Sequence, residues 1–138
     1  MAIIAIDFGK RRIGLAIAES AGSVAYPLAT ITRVSWEKDL EQLRSWISSR
    51  AASQLVVGLP LNMDGSEGSS AQAARTFGTQ LATHLHLPVD YTDERLTSFE
   101  ARERLSNHGG KRRRKTAVDA VAATIILEEW LAAHRNSS

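Results

Sequence analysis

Three carboxylates stand where a carboxylate needs explaining. Asp7 closes the run AIIAID, in which every preceding residue is apolar. It is either part of the turn that follows, with Gly9 two residues on, or a functional group. Glu94 closes a second short stretch, PVDYTDE. Asp119 lies inside TAVDAVAATIILEEW, where its neighbours at helical spacing are Ala122, Ala123, Ile126 and Trp130. A carboxylate on an apolar helix face costs several kcal/mol unless something satisfies it. An arginine, helix-terminal amides or a metal ion would each do so, and the two alanines leave room for one of them. Three carboxylates brought together repel and raise one another's pKa, which a bound cation relieves. Carboxylate oxygens suit Mg2+ or Mn2+, and the chain has no cysteine to favour a softer metal. The chemistry such a centre supports is phosphoryl transfer, with two ions clamping the attacking and leaving oxygens of a phosphodiester.

Basic residues accompany the acids along the chain. Lys10, Arg11 and Arg12 follow Asp7, Arg95 follows Glu94, and Lys111, Arg112, Arg113, Arg114 and Lys115 precede Asp119. They could hold flanking phosphates. From Glu94 to Lys115 there are eight basic and three acidic residues, although the whole chain carries only +2. Such a segment is either a polyanion contact or an ordinary solvated face. Other chemistries find no support. Both candidate phosphate loops lack their first glycine, with Ile4 and Leu105 in its place. His84 and His86 have no third zinc ligand at motif spacing and read as solvent-facing. Ser69 and Ser70 have no evident base and read as helix caps.

The elements that must position these groups follow from periodicity. Residues 2–7, 13–19 and 26–33 read as strands, joined by connections short enough to force antiparallel pairing. Trp36, Leu40, Leu43 and Ile47 mark a helix capped by Ser35. Residues 54–59 return to strand. The stretch 60–70, PLNMDGSEGSS, predicts a long mobile loop. Ala74, Phe77, Leu81 and Leu85 mark a second helix, ended by Pro88, and 88–92 is a fifth strand. Thr97 and Glu100 form a capping-box pattern for a short helix that ends at Asn107–Gly110. A basic loop over 111–115 and a final helix over 116–134 follow. That start puts Asp119 in the first helical turn, where the dipole favours a negative charge. This order predicts an α/β fold with a five-stranded mixed sheet, order 3-2-1-4-5, and helices on both faces. Strands one, four and five are then parallel. Asp7, Glu94 and the 60–70 loop all leave their carboxyl ends, the edge where open α/β sheets bind ligands.

Composition sets the outer bounds. Hydrophobic residues are 43% and charged residues 23% of 138, as in ordinary globular proteins. The expectation is one domain over 1–135 and a short flexible tail at 136–138. No apolar stretch approaches the ~20 residues of a membrane span. The N-terminus lacks a basic segment before its apolar run. The cytoplasm is the expected compartment.

Four motifs, in this order, resemble the YqgF/RuvX family over essentially the whole chain. They are Asp7-Phe8-Gly9 with Arg12-Ile13-Gly14-Leu15-Ala16; Val57-Gly58-Leu59-Pro60 with Asn62, Asp64 and Gly65; Asp93-Glu94-Arg95-Leu96-Thr97; and Lys115 with Val118-Asp119-Ala120-Val121-Ala122-Ala123. The one departure is Ser98, where a second threonine is common. The resemblance implies a ribonuclease-H-like fold shared with RuvC resolvases. It implies catalytic, metal-holding roles for Asp7, Glu94 and Asp119, and a substrate loop at Asn62, Asp64 and Gly65. The implied activity is trimming of the 5′ end of precursor 16S rRNA in association with ribosomal particles. Structured RNA is the implied partner, ahead of a four-way DNA junction. Cutting a junction symmetrically would require a homodimer rather than a monomer. Two further alternatives are weaker. A non-catalytic nucleic-acid binder has no reason to place three acids where phosphates dock. An actin-like ATPase needs two lobes around its nucleotide.

Overall fold

The structure, a computed structural model, describes residues 1–94 and 111–135, and for 111–118 and 135 the backbone alone. Three strands open the chain: β1 (Ala2–Phe8), β2 (Arg12–Ala18) and β3 (Tyr26–Thr32). Then come α1 (Trp36–Ser49), β4 (Ala52–Leu59), α2 (Ser69–Leu85), β5 (Val89–Asp93) and α3 (Lys111–Arg135). The sheet order is β3-β2-β1-β4-β5. β1 pairs antiparallel to β2 and parallel to β4, and β4 pairs parallel to β5. This is the arrangement the element order predicts, because a hairpin cannot join parallel strands and a helix crossover can.

The pleat gives the sheet two different faces. On one, Ile4, Ile6, Ile13, Leu15, Leu55 and Val57 pack against Leu43 and Ile47 of α1 and Phe77 and Leu81 of α2. On the other, Ala5, Ala16 and Ala18 with Ile3 and Val56 receive Ala123, Ile126, Leu127, Trp130 and Leu131 of α3. Small strand residues let α3 lie deep against the sheet. At Gly14 a Cβ would stand 2.0 Å from the backbone oxygen of Asp119, so the helix seats directly on a glycine. The helix runs from the edge holding Asp7 toward the opposite edge. Asp119 lies beside Gly14, which pairs with Asp7, and Trp130 donates its indole N–H to Asp90 early in β5 at 3.0 Å.

Several elements differ from the sequence pattern. Lys111–Lys115 is the opening of α3, not a loop. Lysine and arginine are good helix formers, and no glycine or proline interrupts 111–135. Asp119 is therefore in the third turn and outside the reach of the helix dipole, which fades within the first. Thr124 is buried, with its hydroxyl donating to the carbonyl of Ala120 at 2.8 Å. Ser35 caps α1 as expected, accepting the Lys38 N–H at 3.3 Å. Ser69 and Ser70 do not cap α2, whose N-cap is Gly68. The expected short helix after Thr97, Arg95 and the 136–138 tail lie outside the described residues.

Candidate active site

Asp7 and Glu94 meet at the carboxyl ends of the parallel strands. Asp7 is next to last in β1, and Glu94 follows β5, its N–H donating to the Leu59 carbonyl at 3.0 Å. Glu94 crosses β4 at Gly58, where a Cβ would lie 2.6 Å from its Oε2 and 2.4 Å from Cδ1 of Ile126. A side chain at position 58 would therefore evict the glutamate. The two acids share a hydrogen bond, which requires one of them to hold a proton. Burial raises Asp7 to about 6, with the Glu94 hydrogen bond pulling it back and the charge of Asp119 adding to the rise. Burial raises Glu94 further, to about 9, reinforced by the charge and hydrogen bond of Asp7 and then by Asp93 and Glu129. Both shifts favour keeping a proton on the pair at neutral pH. A cavity of about 380 Å³ opens over it, lined also by Lys10, Arg33, Ser69, Ser70 and Ala73.

Asp119 is close enough for Asp7 to feel its charge, yet it is otherwise engaged. Its Oδ2 accepts a hydrogen bond from Arg12 Nε at 2.7 Å, with the two side chains 19% and 31% exposed. Of the partners the sequence leaves open for Asp119, the arginine is the one present. Arg12, expected to hold phosphate, is committed to this acid. Among the described residues, no three acidic or histidine side chains are gathered at metal-binding spacing. The donor set nevertheless suits a hard divalent ion. It consists of carboxylate oxygens alone, and two of its members meet only by sharing a proton that a cation would displace.

The other predicted residues divide. Lys10 lines the cavity and Arg11 is exposed. The backbone of Lys111–Lys115 lies one to two turns before Asp119, roughly 6–12 Å along the helix, at the same edge of the sheet as Asp7. Asn62, Asp64 and Gly65 do not line the cavity. They build a turn instead. Asn62 N–H donates to the Ser66 carbonyl, Gly65 N–H to the Asn62 carbonyl, and Asn62 Nδ2 and Asp64 Oδ1 both bond the Ser66 hydroxyl. Gly65 has φ 88°, which explains the glycine. The walls come from Ser69, Ser70, Phe8 and Arg33. The sequence shows Phe8 only as the residue after the first strand, inside the Asp7-Phe8-Gly9 motif, and Arg33 only as the last residue of the third strand.

The chain is similar to known proteins over nearly its whole length. The RuvX family, described as "Holliday junction resolvase", matches residues 1–133. A Rippkaea orientalis protein named "Putative pre-16S rRNA nuclease" is 46% identical over 135 residues, spanning 96% of both chains. One of the same name from Anaeromyxobacter sp. is 43% identical over 132 residues, spanning 95% of this chain and 96% of its own. Among solved structures, T. thermophilus RuvC in complex with Holliday junction substrate aligns with a TM-score of 0.59 at 14% identity, covering 98% of this chain and 96% of that one. The fowlpox virus Holliday junction resolvase aligns at 0.58 and 11% identity, covering 96% and 99%. At such identities the likeness is one of fold.

Proposed function

The chain belongs to the RuvX family, and from that premise we propose that it is a divalent-metal-dependent nuclease acting on precursor 16S rRNA. It is a phosphodiester hydrolase, and its substrate is a nucleic acid. The observation that carries the reading is the Asp7–Glu94 pair, two buried carboxylates that line one cavity at the ligand-binding edge of the sheet. A structural pair would be better served by neutral residues, since burying two acids together is costly.

Asp7 and Glu94, joined by Asp119, would hold Mg2+ or Mn2+, two ions in the fullest form of the site. Bound ions would ionise the attacking water and stabilise charge on the phosphate oxygens. The chain's own groups do the rest. Glu94 would hold an ion in its ionised form. Arg12 keeps Asp119 in place beside Asp7. Lys10, Arg11, Arg95 and the basic opening of α3 supply positive charge for the flanking phosphates. One nuclease domain over 1–135 is sufficient for this chemistry, and RNA held on ribosomal particles in the cytoplasm is the setting that fits the substrate. No described helix is long and apolar enough to cross a membrane.

The test is cleavage of end-labelled, 5′-extended 16S rRNA precursor with Mn2+, beside Asp7→Asn and beside a four-way DNA junction. Cleavage of the RNA by the unmutated protein alone supports the proposal. Cleavage of the junction alone, with a homodimer in solution, would make the protein a resolvase instead. Cleavage by Asp7→Asn at the unmutated rate would remove Asp7 from the centre.

A further inference from the structure

A second groove, of about 430 Å³, adjoins the carboxylate cavity and shares Phe8, Arg33 and Ala73 with it. Its wall is a stack of parallel planes. The Phe8 ring lies on Phe77 with centroids 4.2 Å apart and planes inclined by 21°. The guanidinium of Arg33 lies over the Phe8 ring, 4.4 Å from its centroid. Trp36 buttresses Phe77 edge-on at 5.8 Å.

Arg33 is held rigidly. Its Nη1 donates to the carbonyls of Gly9 at 2.9 Å and Lys10 at 3.1 Å. The carboxylate of buried Asp39 lies 3.8 Å from its Nε and accepts the Val34 N–H at 3.0 Å. Nη1 is committed to those carbonyls, the guanidinium lies over the Phe8 ring, and the side chain is still 34% exposed. A guanidinium already fixed in plane loses little further freedom when another plane settles on it. Thr76 and Gln80, both exposed on α2, bring hydrogen-bonding groups to the groove.

We propose that this groove is a nucleobase subsite, in which one unpaired base of the substrate strand stacks on Arg33 as the outermost layer of the Phe77–Phe8–Arg33 stack. The proposal rests on the nuclease reading and deepens it. A strand with a phosphate at Asp7 and Glu94 reaches this groove directly, because the two cavities share a wall. A base paired in a duplex has no free face to offer, so the subsite selects single-stranded RNA beside the reacting phosphate.

The test is equilibrium binding to the Asp7→Asn protein, which keeps the RNA uncut. The probes are a fluorescein-labelled 12-nucleotide single strand from the precursor 5′ end, the same strand with one abasic nucleotide moved along it, and its full duplex. Arg33→Lys keeps the charge and removes the plane. Thr76→Leu narrows the groove from an exposed helical position. Each should weaken single-strand binding by about 10-fold, leave duplex binding unchanged, and have no effect on the strand abasic at one particular position. Equal weakening of single strand and duplex would make Arg33 a phosphate contact and overturn the proposal. So would a loss independent of abasic position, or an absence of single-strand binding. Failure of the nuclease reading shows separately, as position-dependent binding by an unmutated protein that cuts no RNA with Mn2+.

Discussion

The two halves of the acidic cluster solve the same problem in opposite ways. Asp119 has its own cation, Arg12, and is satisfied within the fold. Asp7 and Glu94 face each other, and burial raises the pKa of both. A satisfied acid and an unsatisfied pair stand side by side at the carboxyl ends of β1 and β5. The difference separates an acid neutralised by a neighbouring guanidinium from two acids that burial pushes toward the protonated form.

Breaking the unsatisfied half should have the largest effect. Asp7→Asn should lower the cleavage rate by roughly 10³-fold or more, the equivalent of several kcal/mol of transition-state stabilisation, as single-turnover kinetics would show. Next comes the support beneath the satisfied half. Gly14→Ala sets a Cβ against the backbone of Asp119. It should cost about 3 kcal/mol, the upper end of overpacking penalties, measured by urea denaturation. Removing the internal cation sharpens the contrast further. Arg12→Ala should destabilise the metal-free protein by roughly 1–3 kcal/mol, since the pair is only partly buried. It should also tighten Mn2+ binding, because Asp119 is released; unchanged Mn2+ affinity would mean Arg12 does not compete with the ion.

A smaller effect lies in the pH dependence. Glu94 is raised to about 9 and Asp7 to about 6 in the folded state, against ordinary carboxylate values when unfolded. The folded protein therefore binds more protons than the unfolded one across that window. Its metal-free stability should fall as pH rises from about 4.5 toward 9. Glu94→Gln, which cannot ionise, should flatten the fall and raise the melting temperature at pH 8 by roughly 3–5 °C, about 1 kcal/mol. A melting temperature that rises with pH would contradict the shared proton. The smallest expected change is in salt dependence. Alanine at Arg112, Arg113 and Arg114 together should reduce the slope of log affinity against log salt for single-stranded RNA by about 2. An unmoved slope would make that turn of α3 an ordinary solvated surface.

The sequence made the unsatisfied half easier to read than the satisfied one. Asp7 and Glu94 each end a short strand, and strand order carries both to one edge. Asp119 was visible as a charge among alanines, but its partner is 107 positions away, and no local pattern chooses between an arginine and a metal ion. The basic run was misread as a loop because two glycines precede it and five like charges repel. Unbroken helix propensity from Lys111 onward outweighs both. The substrate loop at Asn62 and Asp64 is implied by the resemblance alone, not by any pattern in the loop itself. Here both residues close the turn on Ser66. The Arg33 stack was out of reach because it joins the end of β1, the end of β3 and the middle of α2, and only the fold brings those together.

The central claim is that Asp7 and Glu94 hold one proton that a divalent cation displaces. The most direct measurement is calorimetric titration of Mn2+ at pH 7.5 in buffers of different ionisation enthalpy. It should count about one proton released as the site fills, and none in Glu94→Gln. Binding without proton release in the unmutated protein would contradict the account.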